Sequence, residues 1–290
     1  MRQQFACADV VLVNGNHQQA KSQVIIIDEN KRASLQKRAE QLTNVELILL
    51  TANTERVFDF IQELPGIDSV PVYRLDETEK ITAFFTAKMD AAKPKLNGLV
   101  LAGGKSIRMG FDKGAVKWHG REQRYYLADM LKPYCSEIFI SCRPEQKSEM
   151  AGEYTTIPDT FTDLGPFGAI LSAFREQPDS AWLVVATDLP LLDDNTLQHL
   201  IKNRSVASLA TAYKNAADDL PEPLITIWEP KSYPALLAYL AQGYSCPRKV
   251  LINSDSTLLN APDPDALTNV NTPEELDRIK RILHQKTAAE

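Results

Sequence analysis

The sequence predicts an α/β protein, with a mostly parallel sheet in its larger C-terminal part and a small α/β domain ahead of it. Two observations predict it. From Asn97 onward, strand-like and helix-like runs alternate, the pattern that builds a parallel sheet covered by helices. Ahead of that point a polar stretch broken by Pro94, Lys88–Lys95, reads as a linker closing a shorter alternation. The expected domains are therefore 1–94, a small accessory α/β domain, and 95–290.

In the first domain, Val10–Val13, Val24–Ile27 and Glu46–Leu50 read as strands, and Lys31–Leu42 and Glu55–Leu64 as helices. Leu35, Ala39 and Leu42 fall at i, i+4 and i+7, giving the first helix one apolar face. In the second, the candidate strands are Leu99–Leu101, Glu137–Ser141, Trp182–Ala186, Val206–Ala212 and Pro223–Trp228. Helices are expected around Tyr125–Leu131, Phe167–Phe174, Thr196–Lys202 and Tyr233–Ala241. A last helix is announced by Thr272 as N-cap, Pro273 at the first helical position and Glu275 closing a capping box. Leu276, Ile279, Ile282 and Leu283 supply its buried stripe. A parallel sheet of this kind takes its ligands at the carboxyl ends of the strands.

The composition narrows the function. A formal net charge of -6 and a pI near 5.4 argue against a nucleic-acid binder, which would carry a basic face. Phosphate chemistry must then come from a few placed cations and backbone amides. Cys7, Cys135, Cys142 and Cys246 are scattered without zinc spacing and read as reduced thiols. The N-terminus lacks a signal-peptide pattern, and no apolar run approaches the ~18 residues of a membrane span. A soluble, cytoplasmic protein is expected, with no membrane or nucleic-acid partner.

The informative segment runs from Leu101 to Gly114, LAGGKSIRMGFDKG. Glycines directly after a buried strand let the backbone approach a ligand and aim several N–H groups at one cluster of oxygens. Arg108 adds a fork of donors suited to phosphate and Lys113 a mobile point charge. Two familiar loops are excluded. A P-loop ending at Gly104-Lys105-Ser106 would need glycine where Leu99 stands, and GxGxxG is absent because Lys105-Ser106-Ile107-Arg108 follows the glycine pair.

This segment resembles the signature of the molybdenum cofactor guanylyltransferase family, the MobA type, within the nucleotidyltransferases that activate sugars, polyols and cofactors. Ile157-Pro158-Asp159, Gly165-Pro166-Phe167-Gly168, Ala186-Thr187-Asp188-Leu189-Pro190 and Asn269-Val270-Asn271-Thr272-Pro273 follow in the family's order, so the resemblance covers about Asn97 to the C-terminus. It implies a three-layer fold of nucleotidyltransferase type and transfer of GMP from Mg-GTP to the phosphate of molybdopterin, releasing pyrophosphate. It implies Arg108, Lys113 and Asp188 as catalytic residues. Leu101, Ala102, Gly103, Gly104, Lys113, Asp159 and Asp188 would hold the nucleotide, and Asp188 with Asn271 the Mg²⁺. GTP, molybdopterin and proteins of the molybdenum cofactor pathway are the implied partners. Guanine is favoured because the sequence reads Leu-Ala-Gly-Gly, where cytidylyl relatives tend to read Leu-Ala-Ala-Gly.

Several residues keep a plainer alternative. Asp188 could instead be a turn aspartate capping the next helix, Asp159 a loop residue after a strand, and Gly165–Gly168 a simple helix start. Arg248-Lys249 lies where such enzymes often hold the acceptor. Trp118, Trp182 and Trp228 read as core, and the four histidines are ungrouped, so no Ser/His/Asp arrangement is available. Where the family usually reads Gly-Lys-Pro-Leu, this chain has His119 to Tyr126, which could alter what docks on that edge. Residues 8–28 bear a short, weak similarity to the later part of the MobB type without its P-loop, so no NTPase activity is expected there. Two rival functions remain open: a nucleotidyltransferase acting on a sugar phosphate or other cofactor, and a non-catalytic nucleotide-binding sensor.

Overall fold

The computed structural model describes residues 11–14, 22–104, 113–150, 152–216, 218–270 and 272–287. The chain divides into two compact units, Asp9–Lys93 and a larger one that carries Pro94–Glu290.

The small unit contains strands β1 (Gln23–Ile27), β2 (Val45–Leu50) and β3 (Val72–Arg74), paired in that order as a parallel sheet. Its helices are α1 (Arg32–Gln36), α2 (Asp59–Gln62) and α3 (Thr78–Ala91). Alternate residues of the strands, Ile25, Ile27, Ile48 and Leu50, build its core with Phe58, Ile61 and Ile67. Four sequence expectations are corrected here. Residues 11–13 form no strand, and Val11, Leu12 and Val13 are exposed. The helix expected over Lys31–Leu42 is interrupted: α1 is flanked by 3-10 turns at Glu29–Lys31 and Ala39–Gln41. Leu35, Ala39 and Leu42 do turn inward, yet each is only half-buried, and short helices draw most of their stability from buried contacts. The helix expected over Glu55–Leu64 shrinks to α2, ended by Pro65 and by Gly66 at φ +76. Finally, α3 runs through Lys88–Ala91, the first half of the expected linker, and it and β3 were not foreseen.

The larger unit carries its strands in one sheet. They are β4 (Leu96–Leu101), β5 (Ile138–Cys142), β6 (Thr155–Pro158), β7 (Ala181–Ala186), β8 (Ala210–Lys214), β9 (Pro221–Trp228) and β10 (Ser256–Leu259). They pair as β10-β8-β9-β7-β4-β5-β6, with β9 antiparallel to both its neighbours and every other pairing parallel. The helices are α4 (Gln123–Leu131), α5 (Pro166–Glu176), α6 (Asp194–Lys202), α7 (Ser232–Ala241), α8 (Pro247–Ile252) and α9 (Pro273–Thr287).

Successive strand residues point to opposite faces, and the two cores follow that alternation. Val100, Leu183 and Val185 pack with α4 and α6, while Leu99, Trp182 and Val184 pack with α5, α7 and α8. The result is three layers, as the resemblance implied. Trp182 and Trp228 are register partners across β7 and β9 and fully buried; Trp118 is half-buried beside α9. The foreseen capping box forms, with Thr272 N donating to Glu275 and Glu275 N to Thr272 Oγ1. The short elements β6, β10 and α8 had no clear sequence signal. Among the described residues no helix is long and apolar enough to cross a membrane.

Candidate active site

The sheet's order creates the site. From β4 the chain moves outward through β5 and β6, then returns to β4's other side as β7, so loops leaving β4 and β7 part in opposite directions. A crevice opens at such a switch point, outside the strands' carboxyl ends. A cavity of about 620 Å³ lies there, lined by Leu101–Gly104 after β4, by Thr187 and Asp188 after β7, and by Arg143 and Asp159 after β5 and β6. Its size suits a small-molecule ligand.

Each wall is fixed by local bonding. Ala102 N donates to Ser141 O (3.0 Å) and Thr187 Oγ1 to Leu101 O (3.2 Å), tying the glycine segment to both neighbouring strands. A Cβ on Gly103 would stand 3.3 Å from Arg143 N and 3.3 Å from Asp159 Oδ2, so a side chain there would have to push its neighbours by a few tenths of an ångström. Gly104 meets nothing within 4 Å, and there open space replaces crowding.

Asp159 is held by its own N–H donating to Cys142 O (2.9 Å) and by Ser141 Oγ donating to its Oδ1 (2.9 Å). Burial pushes its carboxyl up to about 6, although the Ser141 bond and the Arg143 charge both pull it down. Arg143 Nε lies 3.1 Å from Glu145 Oε1.

Asp188 follows the buried β7, and its carbonyl accepts from Val270 N (2.9 Å), which brings the C-terminal segment up to Val270 against it. The helix-capping alternative goes to another residue. Asp193 caps α6, its carboxylate accepting from Thr196 N (2.8 Å). Gly165 and Pro166 line the cavity, and Pro166 starts α5, as the helix-start alternative has it. Gly168 has a packing reason: a Cβ would stand 2.1 Å from Phe161 O.

Of the sequence-expected residues, Leu101, Ala102, Gly103, Gly104, Asp159 and Asp188 share this one cavity. Lys113 opens a 3-10 turn, Lys113–Ala115. Arg108 and Asn271 lie outside the described residues. Arg248 sits beside the start of β9, where Glu222 Oε2 (3.3 Å) and Asp218 (3.8 Å) engage it. The unusual His119–Tyr126 stretch is packed structure. His119 stacks on Tyr126 at 3.9 Å and donates to Pro190 O (3.0 Å), and burial holds its imidazole below the ordinary value. Ser141, Arg143 and Thr187 were not foreseen. Ser141 and Thr187 end or follow strands that the sequence places; Arg143 comes to the site through the sheet order.

Among the described residues no three His, Cys, Asp or Glu side chains converge to hold a metal. A Mg²⁺ ion does not need such a cage: it is commonly bound through one or two carboxylates with waters and substrate phosphates completing its shell. A single carboxylate in an open cleft, as Asp188 provides, fits that ion.

Residues 98–257 match the family model described as the MobA-like NTP transferase domain. A molybdenum cofactor biosynthesis bifunctional protein of Synechocystis is 33% identical over 193 residues, which is 66% of this chain and 56% of that protein. The match thus spans little more than half of that relative. A molybdenum cofactor guanylyltransferase of Pseudomonas fluorescens is 30% identical over 184 residues, 62% of this chain and 92% of that protein. Among solved structures, the molybdopterin-guanine dinucleotide biosynthesis protein A of Archaeoglobus fulgidus superposes with a TM-score of 0.56 at 23% identity, covering 65% of this chain and 99% of that one. A nucleotidyl transferase from Methanothermobacter gives 0.53 at 15% identity, covering 66% and 99%. Those two likenesses establish the three-layer fold, and a family model that spans more than half of the chain and contains the cavity's glycine segment, Asp159 and Asp188 establishes its kinship: the chain belongs to the MobA-like NTP transferase domain family.

Proposed function

We propose that the larger unit transfers GMP from Mg-GTP to the terminal phosphate of molybdopterin and releases pyrophosphate. The observation that carries this reading is the meeting of Gly103, Asp159 and Asp188 in one cavity at the switch point of the sheet. The relatives named molybdenum cofactor guanylyltransferase support the choice of base and acceptor.

In this reading an oxygen of the acceptor phosphate attacks the α-phosphorus of GTP. The bond from that phosphorus to the α,β-bridging oxygen breaks, and pyrophosphate leaves with the electron pair. The nucleophile is already anionic, so no general base is needed, and the ungrouped histidines are no obstacle. Positioning and charge do the work. The backbone of Leu101–Gly104 lies along the nucleotide, Arg108 and Lys113 hold the triphosphate, and Asp159 contacts the nucleoside. Asp188, with Asn271, would hold the Mg²⁺, whose chemistry there is to neutralise charge on the phosphate oxygens. The small unit serves as an accessory or docking module, without NTPase activity, among cytoplasmic proteins of the same pathway.

The test is pyrophosphate release from the full chain with Mg²⁺, molybdopterin and each of GTP, CTP and ATP. Release with GTP alone is expected. Turnover with a sugar phosphate but not molybdopterin would move the acceptor, and nucleotide binding without any turnover would make the chain a sensor.

A further inference from the structure

The cavity's two ends differ in charge chemistry. Asp188 ends β7 on one side of β4, while Arg143 and Asp159 follow β5 and β6 on the other. From β7 to β6 is three strand spacings, roughly 14 Å. A nucleotide with its phosphates beside Asp188 extends along the glycine segment and carries its base toward Arg143 and Asp159. At that end Arg143 is the one cation among the described lining residues, which also include Glu145, Asp159 and Asp163. Phosphates have little to gain there, but a base with adjacent donors and acceptors does.

Arg143 and Asp159 line the same end of the cavity, and the Arg143 charge acts on the Asp159 carboxyl. A Cβ on Gly103 would stand 3.3 Å from the backbone N of Arg143 and from Asp159 Oδ2. Ser141 occupies Asp159 Oδ1, which leaves Oδ2 turned to the glycine side. Among the described residues the Arg143 guanidinium has one partner, Glu145, whose side chain is 68% exposed, and such a pair is weak. The fork can therefore be recruited by a ligand.

We propose that Arg143 is the base-selecting residue of this site, donating to the O6/N7 edge of guanine while Asp159 accepts from the N1–H and 2-amino group. Guanine alone among the four bases presents two acceptors for an arginine fork beside two donors for a carboxylate. Adenine offers its amino group where guanine has O6, and would meet the fork with a like donor. The inference rests on the cavity being a GTP site.

The test measures binding of GTP, ITP and ATP with Mg²⁺ to the full chain and to Arg143→Gln, Arg143→Lys and Asp159→Asn. The wild-type chain is expected to prefer GTP over ATP. Arg143→Gln should weaken GTP and ITP alike, on the order of tenfold to a hundredfold, because both carry O6 and N7, and should leave ATP within about twofold. Arg143→Lys keeps the charge without the fork and should not restore the preference. Asp159→Asn should narrow the gap between GTP and ITP, which lacks the 2-amino group. Equal loss for all three nucleotides in Arg143→Gln would place Arg143 on the phosphates or in the fold and overturn the inference. No GTP preference in the wild-type chain would overturn the reading of the cavity itself.

Discussion

The two units use the same alternation of strand and helix to different ends. In the larger unit every central strand is buried on both faces, and the sheet lies between α4 and α6 on one side and α5, α7 and α8 on the other. In the small unit one face of the sheet is packed by Phe58, Ile61 and Ile67, while Val24 and Ile26 on the other face stay exposed. One ion pair from each unit shows the same difference. Arg204 and Glu229 of the larger unit form a bidentate pair, 2.6 and 2.9 Å, with Glu229 at 1% exposure. Lys93 and Asp90 of the small unit pair at 2.7 Å with exposures of 52% and 58%. A framework buried on both faces can hold a catalytic geometry; the small unit's sheet packs a core on one face only.

The largest effect expected from this contrast is chemical. Asp188→Asn should lower GMP transfer roughly a thousandfold or more, since the metal's share of charge stabilisation is several kcal/mol. The melting temperature should stay put, because the helix cap nearby belongs to Asp193. Unchanged turnover would remove Asp188 from the mechanism. Next in size is the buried ion pair. Arg204→Leu leaves Glu229 charged and unpaired in the interior and removes the donor to Pro94 O (3.0 Å), so it should cost about 3–5 kcal/mol in denaturant unfolding. Lys93→Ala, its counterpart in the small unit, should cost less than about 1 kcal/mol. Similar losses for both would erase the contrast.

The same contrast decided what could be read in sequence. Strands such as Trp182–Ala186 are continuous apolar runs because both faces are buried, and they were placed within a residue of β7. Of the helices over them, α4, α5, α6 and α7 were found as well, and the six-residue α8 was not. In the small unit the stripe of Leu35, Ala39 and Leu42 is real, but half-burial does not sustain one continuous helix, and periodicity alone cannot report that. β6 and β10 are edge strands of four residues each, too short for a pattern. In the site, the family resemblance pointed to Gly103, Asp159 and Asp188, and the structure brings them into one cavity. It did not point to Arg143, whose meaning comes from β5 lying between β4 and β6, a neighbourhood set by sheet order and not by sequence distance.

A smaller effect separates binding from folding at the base end. Asp159 titrates at about 6 against 3.8 for an ordinary aspartate, because it is buried. The folded chain therefore holds this proton more tightly than the unfolded one. Stability from this group is present at low pH and is lost as pH rises through about 6. Guanine recognition by the carboxylate has the opposite sign: it is full above about 6 and fades below. GTP affinity should fall roughly tenfold between pH 7 and pH 5 while the apo chain's Asp159 contribution to stability improves. The groups that face Asp159 are Ser141, Cys142 and Arg143 from β5 and its end, with Glu145 and Asp163 along the cavity. In Asp159→Asn the affinity should follow only the nucleotide's own titration, and a fall as steep as in the wild-type chain would assign the pH dependence elsewhere.

The smallest effect tests the one-faced sheet within a single strand. Ile25 and Ile26 are neighbours in β1, at 3% and 55% exposure, paired with Ile48 and Leu49 of β2. Ile25→Ala removes packing from the core with Phe58 and Ile61 and should cost about 2–5 kcal/mol of the small unit's stability. Ile26→Ser replaces a side chain already half in water and should stay within about 0.5 kcal/mol. The pair of variants compares two faces of one backbone, so strand propensity and position change little between them. If Ile26→Ser costs as much as Ile25→Ala in the full chain, this face is covered in solution, and the small unit's sheet is buried on both sides after all.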